Sequence, residues 1–199
     1  MDIYEAAISR RSVRRFKDVA VAYDALERCV NAGRLAPTGR NRQLCEYIIV
    51  DDEQLLPKVF DSLTMWAGQP RATGDPLPER LPKAYIITLI NSKLEAELGG
   101  TRRVTSYDVG MAVENMILVA LEQGIGTCPI MAFEPDVLKQ VVNMPDNYEI
   151  ALVLALGYPD ESPVTEVSDG SIQYWIDSQG TRHVPKRKLE DILHRNKFS

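Results

Sequence analysis

Apolar positions along this chain change period several times, and each change marks an element. Over residues 2–10, Ile3, Ala6 and Ala7 share one side of a helix that Asp2 can cap. Leu26, Val30 and Leu35 stand near helical spacing over 23–35, with Gly33 and Pro37 as the stop signal. The β-branched run at 47–50 predicts a strand, and 52–63 predicts a helix with Pro57 in its first turn or at a kink. Residues 84–90 are apolar on both faces, which predicts a strand in the middle of a sheet. Residues 107–123 are apolar around nearly the whole circumference, so this helix is enclosed by its own subunit or shared with a partner; we expect it at a dimer interface. A short helix over 134–142, a second core strand over 149–156, a strand over 171–176 and a short helix over 186–194 complete the prediction.

Between these elements, 36–43 lacks apolar periodicity and is rich in small and amide side chains. Such a loop can bring backbone N–H groups and an Asn carboxamide to a planar polar ligand, or it can be a plain connection. Pro70, Gly74, Pro76, Pro78 and Pro82 make 65–82 a long loop in which Trp66 either anchors to the core or covers a flat ligand. Residues 91–105 read as a polar spacer, and Gly157-Tyr158-Pro159 as an abrupt turn. No repeat or shift of composition divides the chain, which predicts one α+β domain over 1–199.

Composition narrows the function classes. Apolar residues make up 45% of the 199 positions, enough for a sizeable core, and the formal charge of -5 argues against broad adhesion to nucleic acid or anionic membrane. Cys29, Cys45 and Cys128 are odd in number and form no CxxC or Cys/His pattern, so neither a disulfide framework nor a zinc site is expected and a reduced cytoplasm is the expected location. The amino terminus carries no signal-peptide pattern, and the longest uninterrupted apolar run, near 116–121, falls short of the roughly 18 residues a membrane span needs.

Against this acidic background Arg10, Arg11, Arg14 and Arg15 stand within six positions. Their mutual repulsion is relieved if an anion sits among them, and the planar guanidinium fork suits phosphate. The same run also reads as a solvated basic face, with one or two arginines attracted to the carbonyls ending the first helix. A nucleic-acid contact through 10–17 predicts binding that weakens steeply with salt, and no aromatic-rich basic face accompanies the run.

Taken in order, Arg10-Arg11-Ser12-Val13-Arg14, Ala36-Pro37-Thr38-Gly39-Arg40-Asn41-Arg42-Gln43, Asp108-Val109-Gly110 through Gly126-Thr127-Cys128, Gly157-Tyr158-Pro159 and Lys186-Arg187-Lys188-Leu189 resemble the FMN-dependent nitroreductase family over nearly the full chain. The resemblance implies an α+β nitroreductase-like fold, with a central, mostly antiparallel sheet flanked by helices, and a homodimer with two active sites at the subunit interface. It places Arg10, Arg11, Ser12 and Arg14 around the phosphate, ribityl chain and pyrimidine edge of FMN, with a cation from Lys186 or Arg187 near the phosphate. It puts Pro37, Thr38, Gly39 and Asn41 against the flavin from the other subunit, and Pro129, Ile130 and Met131 beside the ring, where a backbone N–H can meet N5.

Some features depart from the family pattern: Gln43 is followed by Leu44-Cys45 where many relatives have Pro-Trp, and Met131-Ala132 stands where some members carry Glu-Gly. The activity implied is hydride transfer from NADH or NADPH through flavin N5 to an electron-poor small molecule such as a nitroaromatic or quinone, with no catalytic side chain required. A reductive dehalogenase on the same scaffold, or a flavin- or phosphate-binding protein without turnover, are the alternatives. His183 and His194 have no Ser or Cys partner pattern that would suggest a triad.

Overall fold

The computed structural model describes residues 2–168 and 170–198, which fall into two compact units, one ending at Asp160 and one beginning at Glu161. The first unit contains, in order, α1 (Ile3–Ser9), α2 (Tyr23–Arg34), a 3-10 turn (Gly39–Asn41), β1 (Cys45–Val50), α3 (Leu56–Asp61), β2 (Met65–Trp66), β3 (Gln69–Pro70), β4 (Ala84–Asn91), α4 (Ser92–Glu97), α5 (Arg102–Glu122), β5 (Gly126–Ile130), α6 (Pro135–Val141) and β6 (Tyr148–Gly157). Four of these strands form an antiparallel sheet in the order β1-β4-β6-β5. The α+β class and the central position expected for 84–90 are both observed.

Side-chain alternation sends this sheet into two cores. Tyr85, Ile87, Leu89, Val153 and Ala155 meet Val59 and Phe60 of α3 and Leu138 of α6 on one face. Ala84, Ile86, Ile90, Leu154 and Leu156 meet Leu26 and Cys29 of α2 and Val109, Val113, Met116 and Ile117 of α5 on the other. Because both faces are covered, β4 and β6 are apolar almost throughout, although each pairing within this four-stranded sheet is antiparallel. Helix α5 is longer than expected. Its most apolar window, of mean hydropathy 1.3, meets a length-and-apolarity criterion for crossing a bilayer despite the short uninterrupted run, yet 44% of that window is buried inside the protein. The packing on α2 and the sheet accounts for much of its apolar character.

Several boundaries differ from the sequence expectation. The 91–105 spacer holds α4, capped by the Asn91 side chain on the Leu94 amide, and the first turn of α5. The helix over 52–63 begins at Leu56, with Pro57 in its first turn. The 65–82 loop opens with a tight hairpin in which Ala67 and Gly68 take φ of 51° and 87°. Trp66 is the anchor: only 9% exposed, its ring lies edge-on to Phe60 at 5.1 Å between centroids. Strand β5 was not expected, because Gly126 and Pro129 are poor strand formers; an edge position tolerates the proline.

The second unit is a three-stranded sheet of β7 (Val164–Val167), β8 (Trp175–Ile176) and β9 (Arg182–Lys186) in the order β7-β9-β8. Only Trp175–Ile176 of the strand expected over 171–176 is formed. The helix expected over 186–194 reduces to a 3-10 turn, Leu189–Asp191, with Lys186 closing β9. His183 lies between carboxylates of two other segments, its Nδ1 3.1 Å from Glu166 and its Nε2 3.4 Å from Asp177, and stacks on Trp175.

Candidate active site

The Asp2 side chain and Glu5 form a reciprocal cap on α1, and the helix ends at Arg10. From there the chain runs extended beside the sheet. Ser12 bridges Thr127 of β5 in parallel, the Val13 amide donates to the Thr127 carbonyl at 2.9 Å, and the Lys17 amide donates to Tyr158 at 2.8 Å. Val13 and Phe16 anchor the segment in the core at 6% and 1% exposure. Two glycines make room for them: a Cβ on Gly126 would lie 2.8 Å from Val13 Cγ2, and one on Gly157 would lie 2.7 Å from Phe16 Cδ1. With Val13 and Phe16 turned inward, Arg10, Arg11, Ser12 and Arg14 stay half-buried along the edge of β5.

Their electrostatics suit an anion. Arg10 Nε stands 3.5 Å from Glu114 Oε1 of α5, yet it is buried without a hydrogen bond. Burial, and then the neighbouring Arg10 charge, hold the Arg11 guanidinium below the usual arginine value. Arg11 donates to the Arg10 carbonyl, and Arg14 donates to the Ser12 carbonyl at 3.4 Å. Arg15 points elsewhere, 3.8 Å from Asp160. An orphaned Nε and crowded guanidiniums form a donor set fitting a phosphate-bearing group, whose charge would offset the crowding.

Strand β5 carries this segment directly to Pro129 and Ile130. Ile130 is buried, whereas Pro129 and Met131 are exposed, Met131 by 78%. The backbone beyond is fixed by the end of α3: Thr64 donates to Ala132 at 3.0 Å, Glu134 donates to Ser62 at 2.8 Å, and Leu63 bridges Phe133. Backbone contacts on both sides therefore hold 129–131 next to the arginine segment.

Pro37, Thr38, Gly39 and Asn41 form a separate group. Gly39 donates its amide to Oδ1 of buried Asp108 on α5 at 3.0 Å, and the Gln43 amide donates to Thr38 Oγ1 at 3.3 Å. Asp108, which holds this loop, and Glu114, which pairs with Arg10, are six positions apart on α5, about 240° around the axis at 3.6 residues per turn. One chain thus attaches the two groups to different sides of the helix. Lys186 and Arg187 belong to the second unit, where the Lys186 carbonyl accepts from Ser168 at 2.8 Å and Arg187 donates to the Asp191 carbonyl at 2.9 Å.

Asp108, Glu114, Arg42 and Thr127 had no role assigned from sequence. An acidic residue inside an otherwise apolar helix was the available signal for Asp108. Among the described residues no group of three or more His, Cys, Asp or Glu side chains is placed to hold a metal.

Residues 7–158 match the model of the Nitroreductase family. The chain belongs to the nitroreductase family. An Archaeoglobus fulgidus protein assigned as an NADH dehydrogenase/NAD(P)H nitroreductase is 27% identical over 166 residues, covering 81% of this chain and 88% of its own. Iodotyrosine deiodinase of Thermotoga neapolitana is 25% identical over 175 residues, covering 80% of this chain and 89% of its own. In fold, an FMN-dependent nitroreductase of Clostridium difficile R20291 superposes with a TM-score of 0.69 at 21% identity, over 98% of this chain and all of that one.

Proposed function

We propose that this chain is an FMN-dependent oxidoreductase using NADH or NADPH to reduce an electron-poor small molecule, with residues 1–199 acting as one nitroreductase-like domain. The reading is carried by the Ser12–Thr127 pairing, which sets an anion-suited arginine segment beside the strand that ends in exposed Pro129, buried Ile130 and exposed Met131. FMN, when bound, supplies hydride chemistry at N5, from NAD(P)H to an acceptor such as a nitroaromatic or quinone. The chain's own residues bind and orient. Arg10, Arg11 and Arg14 neutralise the phosphate and the negative charge on the pyrimidine edge, and the Ser12 hydroxyl adds a hydrogen bond. Pro129, Ile130 and Met131 would flank the flat ring. Pro37, Thr38, Gly39 and Asn41 reach the flavin of a second copy, a division of labour supported by their attachment to a different side of α5 from Arg10.

An anaerobic absorbance spectrum tests this reading: protein loaded with FMN and freed of excess keeps a flavin spectrum, which bleaches on addition of NADH or NADPH. Protein that keeps no flavin overturns the assignment, and flavin that stays bound but never bleaches makes the chain a binding protein. A reductive dehalogenase activity is the second reading, favoured by the similarity to the Thermotoga deiodinase. Reoxidation of the bleached protein by an iodotyrosine, and not by a nitroaromatic or quinone, would select it.

A further inference from the structure

The loop over 38–43 is held in a conformation its residues do not favour. Arg40, Asn41 and Gln43 take φ of 56°, 55° and 52°, in the left-handed region, and none of them is glycine. Such backbone persists only where the surroundings over-determine it. A cavity of about 140 Å³, lined by Thr38, Gln43, Cys45, Tyr47, Asp108 and Ala112, lies beside the two ends of the loop, and the apolar contact at its middle is Val104 against Gly39.

Polar tethers remain, and they converge on one residue. The Gly39 amide donates to Asp108 Oδ1 at 3.0 Å, and the Gly39 carbonyl accepts from Arg42 Nη1 at 3.4 Å. Arg42 is itself fixed at the end of α4, where Nε and Nη2 donate to the Leu98 and Gly99 carbonyls, each at 3.0 Å. A planar fork can serve carbonyls on two segments at once, whereas a lysine ammonium offers one point of contact. A Cβ at position 39 would stand 2.7 Å from Val104 Cγ1, so a larger residue there would force the Val104 side chain to shift. With its amide and carbonyl gripped from two elements, the position of Gly39 is set. Thr38 Oγ1 then closes the loop on the Gln43 amide.

We infer that Asp108 and Arg42 are positioning residues that hold this loop ready for ligand by gripping Gly39, although neither touches the reacting atoms. The link to FMN rests on the functional reading above. The test measures the dissociation constant of FMN by flavin fluorescence and, without ligand, hydrogen exchange at the Gly39 amide. Asp108→Ala weakens FMN about tenfold or more and speeds Gly39 exchange by a similar factor, as expected for loss of a charge-assisted hydrogen bond. Asp108→Asn, whose carboxamide oxygen still accepts from Gly39, stays within about threefold of wild type in both. Arg42→Lys weakens FMN at least about threefold while leaving the protein folded, and it decides the matter if Asp108→Ala does not fold. Folded Asp108→Ala or Arg42→Lys protein with wild-type FMN affinity overturns the inference, as does Asp108→Asn behaving like Asp108→Ala. Wild-type protein that keeps no FMN removes the functional reading instead, and Gly39 exchange in the unliganded proteins still decides whether Asp108 grips the loop.

Discussion

The Val13 amide donates to the Thr127 carbonyl at 2.9 Å, and this contact joins the arginine segment to the strand leading to Met131. It requires the close approach that Gly126 allows, since a Cβ there would meet Val13 Cγ2 at 2.8 Å and Pro159 Cγ at 2.9 Å. Gly126→Ala should therefore push the segment away, destabilising the protein by about 1–3 kcal/mol as overpacking does, and weaken FMN binding in parallel. Urea denaturation and flavin retention check the two effects.

Replacing Arg10 and Arg14 together by Ala should release FMN and leave the apo protein folded. Arg10 pairs with Glu114 at 3.5 Å in a partly exposed contact, and such pairs contribute at most about 1 kcal/mol. Each charge-assisted bond to phosphate contributes about 1.5–3 kcal/mol, so retention should fall by at least about tenfold. Arg15→Ala should matter less, because Arg15 faces Asp160. Equilibrium dialysis of FMN, with circular dichroism of the apo proteins, measures both sides.

Trp66→Ala should act on stability. The buried indole packs edge-on against Phe60, with the Arg71 guanidinium 4.7 Å from the centroid of the same Phe60 ring. Truncation should destabilise by about 3–5 kcal/mol, while protein that remains folded keeps its flavin spectrum. A denaturant midpoint that does not move would show that the indole is no anchor.

Alkaline pH should destabilise the fold through its thiols. Burial pushes both Cys29 and Cys45 up to about 11, with Asp108 adding to the effect on Cys45. A thiol with a raised folded pKa contributes stability that is complete below its unfolded value, near 8.5, and is lost as pH rises toward the folded one. Between about pH 8.5 and 11 each thiol should therefore cost up to about 1.4 kcal/mol per pH unit. Cys29→Ser should flatten the slope of unfolding free energy against pH in urea titrations over this range.

Periodicity in the sequence determined the elements that bury one continuous face: α2, β1, β4, the later part of α5, α6 and β6 were all legible because apolar spacing directly records which side meets the core. The arginine run and the 36–43 loop were also legible as unusual chemistry in an acidic chain. Where conformation depends on a distant partner, local preference misled. Gly126 and Pro129 argue against a strand, yet β6 supplies the ladder that makes one. Residues 171–176 and 186–194 carry apolar residues in strand-like and helix-like patterns, but β9 pairing takes over part of each region. Tertiary structure alone decided that Ser12 pairs with Thr127, that Asp108 receives the Gly39 amide, and that Arg10 faces Glu114 while Arg15 faces Asp160. Each joins residues far apart in the chain, and sequence pattern encodes the faces that must be buried without naming which distant backbone groups and charges will satisfy one another once they are.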